Sequence, residues 1–123
     1  MSFILLPKIA GYLNNGSAVV ADVLCPTPGH RIFVKIYPVP NEVIPREEKR
    51  YLNSRYSMWE YWHYRFWRIE LKPGWEEWPD DWNHYLASME QMMACTEEDF
   101  ITVAEKWIGE APIKHDFDSD CPM

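Results

Sequence analysis

The spacing of apolar residues along the chain changes period several times. From Arg31 to Tyr37 it alternates strictly, with Ile32, Val34 and Ile36 on one side and Arg31, Phe33, Lys35 and Tyr37 on the other. Period two predicts a half-buried strand. Ser17–Cys25, carrying Val19, Val20, Val23 and Leu24, predicts another strand just before it. Phe3–Leu13 reads as a third, held to a sheet edge by Pro7, because proline donates no ladder hydrogen bond. Asn14-Asn15-Gly16 and Pro26-Thr27-Pro28-Gly29 supply the turns. Together these segments predict an N-terminal three-stranded antiparallel meander.

Pro38 to Pro45 reads as a linker, and Pro45 followed by Arg46-Glu47-Glu48 as a helix start. No glycine or proline falls between Arg46 and Lys72, and Leu52, Tyr56, Trp59, Trp62, Phe66 and Ile69 recur at spacings of 4, 3, 3, 4 and 3. That is the stripe of one long amphipathic helix, and a single period covers it without a break. The rival reading is a short helix at 46–57 and a strand at 60–71. Trp62, Tyr64 and Phe66 alternate in one phase and Trp67, Ile69 and Leu71 in the other, so that strand would need a bulge at Phe66–Trp67. The single helix is the preferred expectation.

Pro73-Gly74 closes the element, and Trp75-Glu76-Glu77-Trp78 reads as a connector. Pro79-Asp80-Asp81 then opens a predicted helix with the stripe Trp82, Tyr85, Leu86, Met89 and Met93. Thr96, followed by Glu97-Glu98-Asp99, predicts the N-cap of a last helix burying Phe100, Val103, Ala104, Trp107 and Ile108, with Gly109 beyond its end. Strands followed by helices, without βαβ alternation, give an α+β fold in which the meander packs against about three helices. Residues 1–110 form the expected domain, and 111–123 an acidic C-terminal tail for which disorder is one expectation.

At 123 residues the length fits one domain, large enough to bury a core. Cys25, Cys95 and Cys121 form neither a CxxC pair nor an even framework, which points to reduced thiols and a cytoplasmic setting. Met1–Leu6 is too short and lacks the basic start of a signal peptide, and no apolar run is long enough for a membrane span. The net charge of −7 is unevenly placed: residues 1–72 sum to +4 and residues 73–123 to −11. Of 19 aromatic residues, 12 lie between Tyr51 and Tyr85, including six of the seven tryptophans.

Catalytic and metal-binding signatures are sparse. GxSxG, P-loop and GxGxxG motifs are absent, so no cofactor is expected. His30, His63, His84 and His115 have no histidine partner at metal-ligand spacing, and Asp116, Asp118 and Asp120 have the spacing that opens an EF-hand loop but meet Cys121 where that loop needs glycine. No metal site is expected. His30 stands near Cys25 in sequence, as a Cys/His nucleophile pair would require, but nothing local supports catalysis. An enzyme or ligand-binding protein would need an aromatic-walled pocket, expected near His63 or His84.

Two surfaces remain. Segment 46–72 interleaves Arg46, Lys49, Arg50, Arg55, Arg65, Arg68 and Lys72 with aromatics, as single-stranded nucleic-acid binders do, although the acidic half of the chain repels phosphate. On the helical wheel Tyr61, Tyr64 and Trp67 fall off the apolar stripe and are expected to face outward. In Trp75-Glu76-Glu77-Trp78-Pro79-Asp80-Asp81-Trp82, three tryptophans alternate with four carboxylates. Rings beside carboxylates suit a basic partner. The expected function is therefore a small protein–protein interaction module, in its most concrete form a phage-type inhibitor that binds a basic surface of a nucleic-acid-handling complex. Its expected partner-binding residues are Trp75, Glu76, Glu77, Trp78, Asp80, Asp81, Tyr61, Tyr64 and Trp67. Exposed rings are equally compatible with a homodimer seam.

Overall fold

The computed structural model describes residues 3–42 and 57–123. Its centre is a five-stranded antiparallel sheet in the order β4-β3-β2-β1-β5. The strands are β1 (Val19–Val23), β2 (Arg31–Pro40), β3 (Trp62–Leu71), β4 (Leu86–Ala94) and β5 (Ile113–His115). The helices are α1 (Pro7–Asn14), the single turn α2 (Met58–Tyr61) and α3 (Glu97–Trp107). The expected α+β class is present, with its elements distributed differently along the chain.

The first departure is at the N-terminus, where the expected edge strand is α1. Pro7 occupies the first helical turn, where its missing N–H is no loss. Ile9 and Leu13, four apart, bury one face. The expected turn at Asn14-Asn15-Gly16 is the helix's C-terminal cap. Gly16 takes φ 84°, its N–H donates to the Leu13 carbonyl at 3.0 Å, and the Ser17 N–H donates to the Tyr12 carbonyl at 2.9 Å. A Cβ on residue 16 would also stand 3.3 Å from the Trp62 ring. Gly16→Ala is therefore expected to destabilise the protein by about 1–2 kcal/mol, read as a Tm lower by roughly 5 °C. A thermal melt of the variant checks this.

β1 and β2 form where the alternation places them, from Val19↔Ile36 to Val23↔Ile32. β2 continues through Pro38 and Pro40, which had read as linker. Beyond Ile36, β1 no longer pairs with it, so this stretch has β3 on one side only among the described residues. Prolines two apart lose their N–H groups on the same side of a strand, and an unpaired side tolerates that loss.

The long helix expected over 46–72 is absent from its described part, and the rest of it, 46–56, lies outside the described residues. Ser57 and Glu60 form a capping box around α2, and β3 follows at once. β3 pairs with β2 from Arg31↔Leu71 to Pro40↔Trp62 and with β4 on its other side. Tyr64 and Phe66 are buried on one face, Ile69 and Leu71 on the other. The two phases of alternation thus belong to one regular strand covered on both faces, and no bulge separates Phe66 from Trp67. The register shift occurs later, at Glu70/Leu71 against β4.

The helix expected after Pro79 is also corrected. Pro79–Tyr85 forms 3-10 turns and Leu86–Ala94 is the edge strand β4. α3 is the expected last helix: the Thr96 side chain accepts from the Asp99 N–H at 3.1 Å, and Phe100, Val103, Ala104 and Trp107 are buried. It connects one sheet edge to the other, since β5 pairs with β1. Segment 111–123, expected as a tail, contains β5 and a 3-10 turn at Asp116–Asp118, and Cys121 and Met123 pack beneath the sheet. On the upper face α1 and α3 cover Val19, Ala21, Ile32, Val34, Ile36, Tyr64 and Phe66. On the lower face Val20, Phe33, Ile69 and Leu71 pack under Trp75, with Trp82, Tyr85 and Leu86 partly buried alongside. Among the described residues no helix is long and apolar enough to cross a membrane.

Candidate interaction surface

The lower layer is built from the Trp-and-acid connector. Gly74 turns the chain with φ 102°, leading into a three-residue 3-10 turn, Trp75–Glu77. Trp75 enters the core and meets Phe33 edge-on, ring centroids 5.7 Å apart. Its indole N–H is buried without a hydrogen-bond partner among the described residues. The backbone leaves helical geometry at Trp78 (φ −135°, ψ 63°), and that ring is turned outward, 59% exposed. Trp82 is half-buried against the lower core. One tryptophan thus anchors the segment, one is presented and one bridges the two.

The four carboxylates are all exposed. Glu76 lies 3.9 Å from Arg31, a weak and solvated contact. Arg31 is principally engaged by Asp22 at 2.7 Å and also meets Asp120 at 3.4 Å. Burial opposes its charge, but these acids outweigh burial and hold its pKa up. Glu77, Asp80 and Asp81 pair with no cation among the described residues. The result is an arc of negative charge around an exposed ring.

Trp82 continues this arc into an apolar groove of ≈ 670 Å³ on the underside of the sheet, lined by Tyr37, Pro38, Val39, Pro40, Arg65, Trp67, Trp82, Met89 and Met123. Its walls come from the ends of β2 and β3, the 3-10 turns and β4. Neither His63 nor His84 lines it, so it is not the pocket expected beside those histidines. Beyond it, β4 presents Met89, Met92 and Met93, each 41–45% exposed, on both of its faces. An edge strand with few charges is a ready template for strand addition.

The rings expected to face outward separate. Trp67 is half-buried in the groove wall. Tyr61 and Tyr64 are buried, the latter donating to the Met58 carbonyl at 3.3 Å. Tyr61 ends the turn α2 and is buried there, and the outward placement of Tyr64 depended on a helix continuing past that turn. In a strand, Tyr64 shares the helix-covered face with Phe66, where it packs on Trp59 and Phe100. Of the basic residues expected to form a nucleic-acid surface, Arg68 pairs with Glu90 at 3.5 Å, Arg65 and Lys72 are exposed, and Arg46, Lys49, Arg50 and Arg55 lie outside the described residues.

A second grouping lies at one end of the upper face. The His30 ring nitrogen Nδ1 and Glu70 Oε2 are 2.6 Å apart, and Cys25 supplies a third donor within 4.8 Å of both residues' donor atoms. Cys25 and His30 are close in sequence. Glu70, forty residues on, joins them only through the β2–β3 register, a relation that no local motif carries. No protein-family model matches the chain, and neither a curated protein nor a solved structure matches it.

Proposed function

We propose that the protein is an interaction module that binds a basic protein surface through the acidic arc Glu76, Glu77, Asp80 and Asp81 with Trp78 at its centre. The observation that carries this reading is the exposed Trp78 ring among carboxylates of which three have no cation within the described residues. An exposed indole beside carboxylates accommodates the stem of a partner lysine or arginine on the ring and its charge on the acids. The groove extends the same surface through Trp82 and Trp67 and adds apolar area, while Arg65 marks its cation-repelling side. Charge complementarity of this kind governs encounter rate and partner choice more than total area does.

The unpaired thiols favour a reducing compartment, consistent with a cytoplasmic inhibitor or adaptor of a nucleic-acid-handling complex, whose own surfaces are basic. Direct nucleic-acid binding is the weaker alternative, because the arc repels phosphate. The test is affinity capture from nuclease-treated lysate with the wild type and with Glu76→Gln/Glu77→Gln/Asp80→Asn/Asp81→Asn. The variant is expected to keep its far-UV spectrum and melting curve and to lose the captured protein. Trp78→Ala is expected to weaken capture at least tenfold. Equal capture by the wild type and the neutralised variant would overturn the proposal.

A further inference from the structure

We propose that Cys25, His30 and Glu70 form a zinc-binding site at the loop end of the β1–β2 hairpin. Two donors come from the 24–30 connection, Cys25 just after β1 and His30 just before β2, and the third comes from β3. Period two places them together. Cys25 continues the parity of Val23, and His30 that of Ile32, whose cross-strand partner is Glu70. All three therefore belong to the helix-covered face, and each is half-buried.

The donor atoms lie within 4.8 Å of one another. Around tetrahedral zinc, bonds of about 2.0–2.3 Å place donor atoms ~3.3–3.8 Å apart. Closure thus requires an approach of ~1 Å by the thiol and a similar opening of the 2.6 Å His30–Glu70 contact. Thiolate, imidazole and carboxylate are the three side chains that zinc accepts, whereas magnesium and calcium take oxygen and gain little from sulfur or nitrogen. The thiol proton leaves to solvent on binding. One thiolate and one carboxylate then balance the charge of the ion.

The surroundings suit a cation. The neighbouring guanidiniums are engaged elsewhere: Arg31 stacks over Phe33 and pairs with Asp22, and Arg68, two residues before Glu70 on β3, pairs with Glu90. A cavity of ≈ 480 Å³ borders Cys25 and His30 and leaves room for a solvent molecule as fourth ligand. Glu70 and His30 are only 19–20% exposed, so the carboxylate and the imidazole are partly desolvated and a divalent ion recovers interaction that water does not supply.

The test uses cobalt(II) chloride as a spectroscopic stand-in and zinc chloride as competitor on the full chain. Cobalt is expected to saturate at one ion per chain, giving a thiolate-to-metal charge-transfer band in the near ultraviolet and intense tetrahedral bands in the visible, both abolished by zinc. Cys25→Ser should remove the near-ultraviolet band. Glu70→Gln should weaken binding at least tenfold. Cys95→Ser, which changes an exposed thiol outside the cluster, should leave the spectrum unchanged. If Cys25→Ser does not fold, alkylation of the wild type serves instead: zinc should slow modification of Cys25, mapped by peptide mass, at least tenfold. A featureless titration, a charge-transfer band that survives Cys25→Ser, or unprotected Cys25 would overturn the proposal.

Discussion

Phe100→Ala is expected to cost about 3–5 kcal/mol, enough to remove much of the stability of a domain this size. Phe100 is fully buried at the start of α3, and its ring meets those of Phe3, Trp59, Tyr64 and Phe66 at centroid separations of 6.0, 5.1, 5.2 and 5.1 Å. These contacts join the segment before α1, the turn α2, strand β3 and helix α3. Truncation would leave a void bordered by four large rings from three other elements. Rings fixed by the backbone of a sheet and a helix relax little, so most of the cavity term should persist. The expected result is a Tm lower by roughly 10–20 °C, with coincident loss of near-UV dichroism and tryptophan fluorescence shift. Phe117→Ala is the control: that ring is 92% exposed, and its removal should change stability by less than about 0.5 kcal/mol. If the Phe100 variant melted with the control, the aromatic cluster would not be the core of the fold.

The elements legible in the sequence are those whose burial is simple. β1 and β2 combine turn residues with β-branched residues, and α3 has one apolar stripe behind a threonine cap, so period and boundary agree. The misread elements are those in which two physical rules compete. Pro7 breaks a strand but also suits the first turn of a helix, and only the later packing of Ile9 and Leu13 decides between them. In β3 both faces are buried, so Trp62, Phe66 and Ile69 simulate a helical stripe while belonging to opposite sides of a sheet. β4 is rich in methionine, a residue that favours helices, and Met89 and Met93, four apart, fall on one face in either conformation. Its strand state comes from pairing with β3, which no local window contains.

The candidate surfaces follow the same division. The alternation of tryptophan and carboxylate from 75 to 82 was visible without knowledge of the fold, because exposed charge and an exposed ring need no partner to be recognised. Which tryptophan points inward was not, since that depends on the break at Trp78. Cys25, His30 and Glu70 were separable only as residue types. Their convergence depends on register, and register is a property of two strands taken together.

Register also explains Lys35, the one buried cation among the described residues, and the expected outcome of removing its partner. Lys35 lies mid-way along β2 on the lower face, 4% exposed, where an aliphatic residue would ordinarily stand. Its ammonium donates to the Met123 carbonyl at 2.8 Å, lies 3.0 Å from Asp116 and sits over the Tyr37 ring at 4.7 Å. The pair holds segment 116–123 against the sheet. Asp116→Ala should cost about 2–3 kcal/mol, somewhat below a fully enclosed pair because the Asp116 carboxylate is 34% exposed and water supplies part of its role. Lys35→Met removes the need to solvate a buried charge, so Lys35→Met/Asp116→Ala should be less destabilised than Asp116→Ala alone. Alkali should act in the same direction. Burial opposes the Lys35 charge, but Tyr37 and Asp116 overcome it and raise the pKa above its usual 10.5, so this contribution is complete below that pH and is lost as pH rises through the folded value. Burial alone pushes the Tyr64 phenol up from its usual 10.0, so the unfolded chain loses that proton first and stability again falls above about pH 10. Wild-type Tm is therefore expected to hold through neutral pH and fall steeply beyond pH 10, and Lys35→Met and Tyr64→Phe should each make that fall shallower. A Tm unchanged from pH 9 to pH 11 would show that neither group is held as the structure places it.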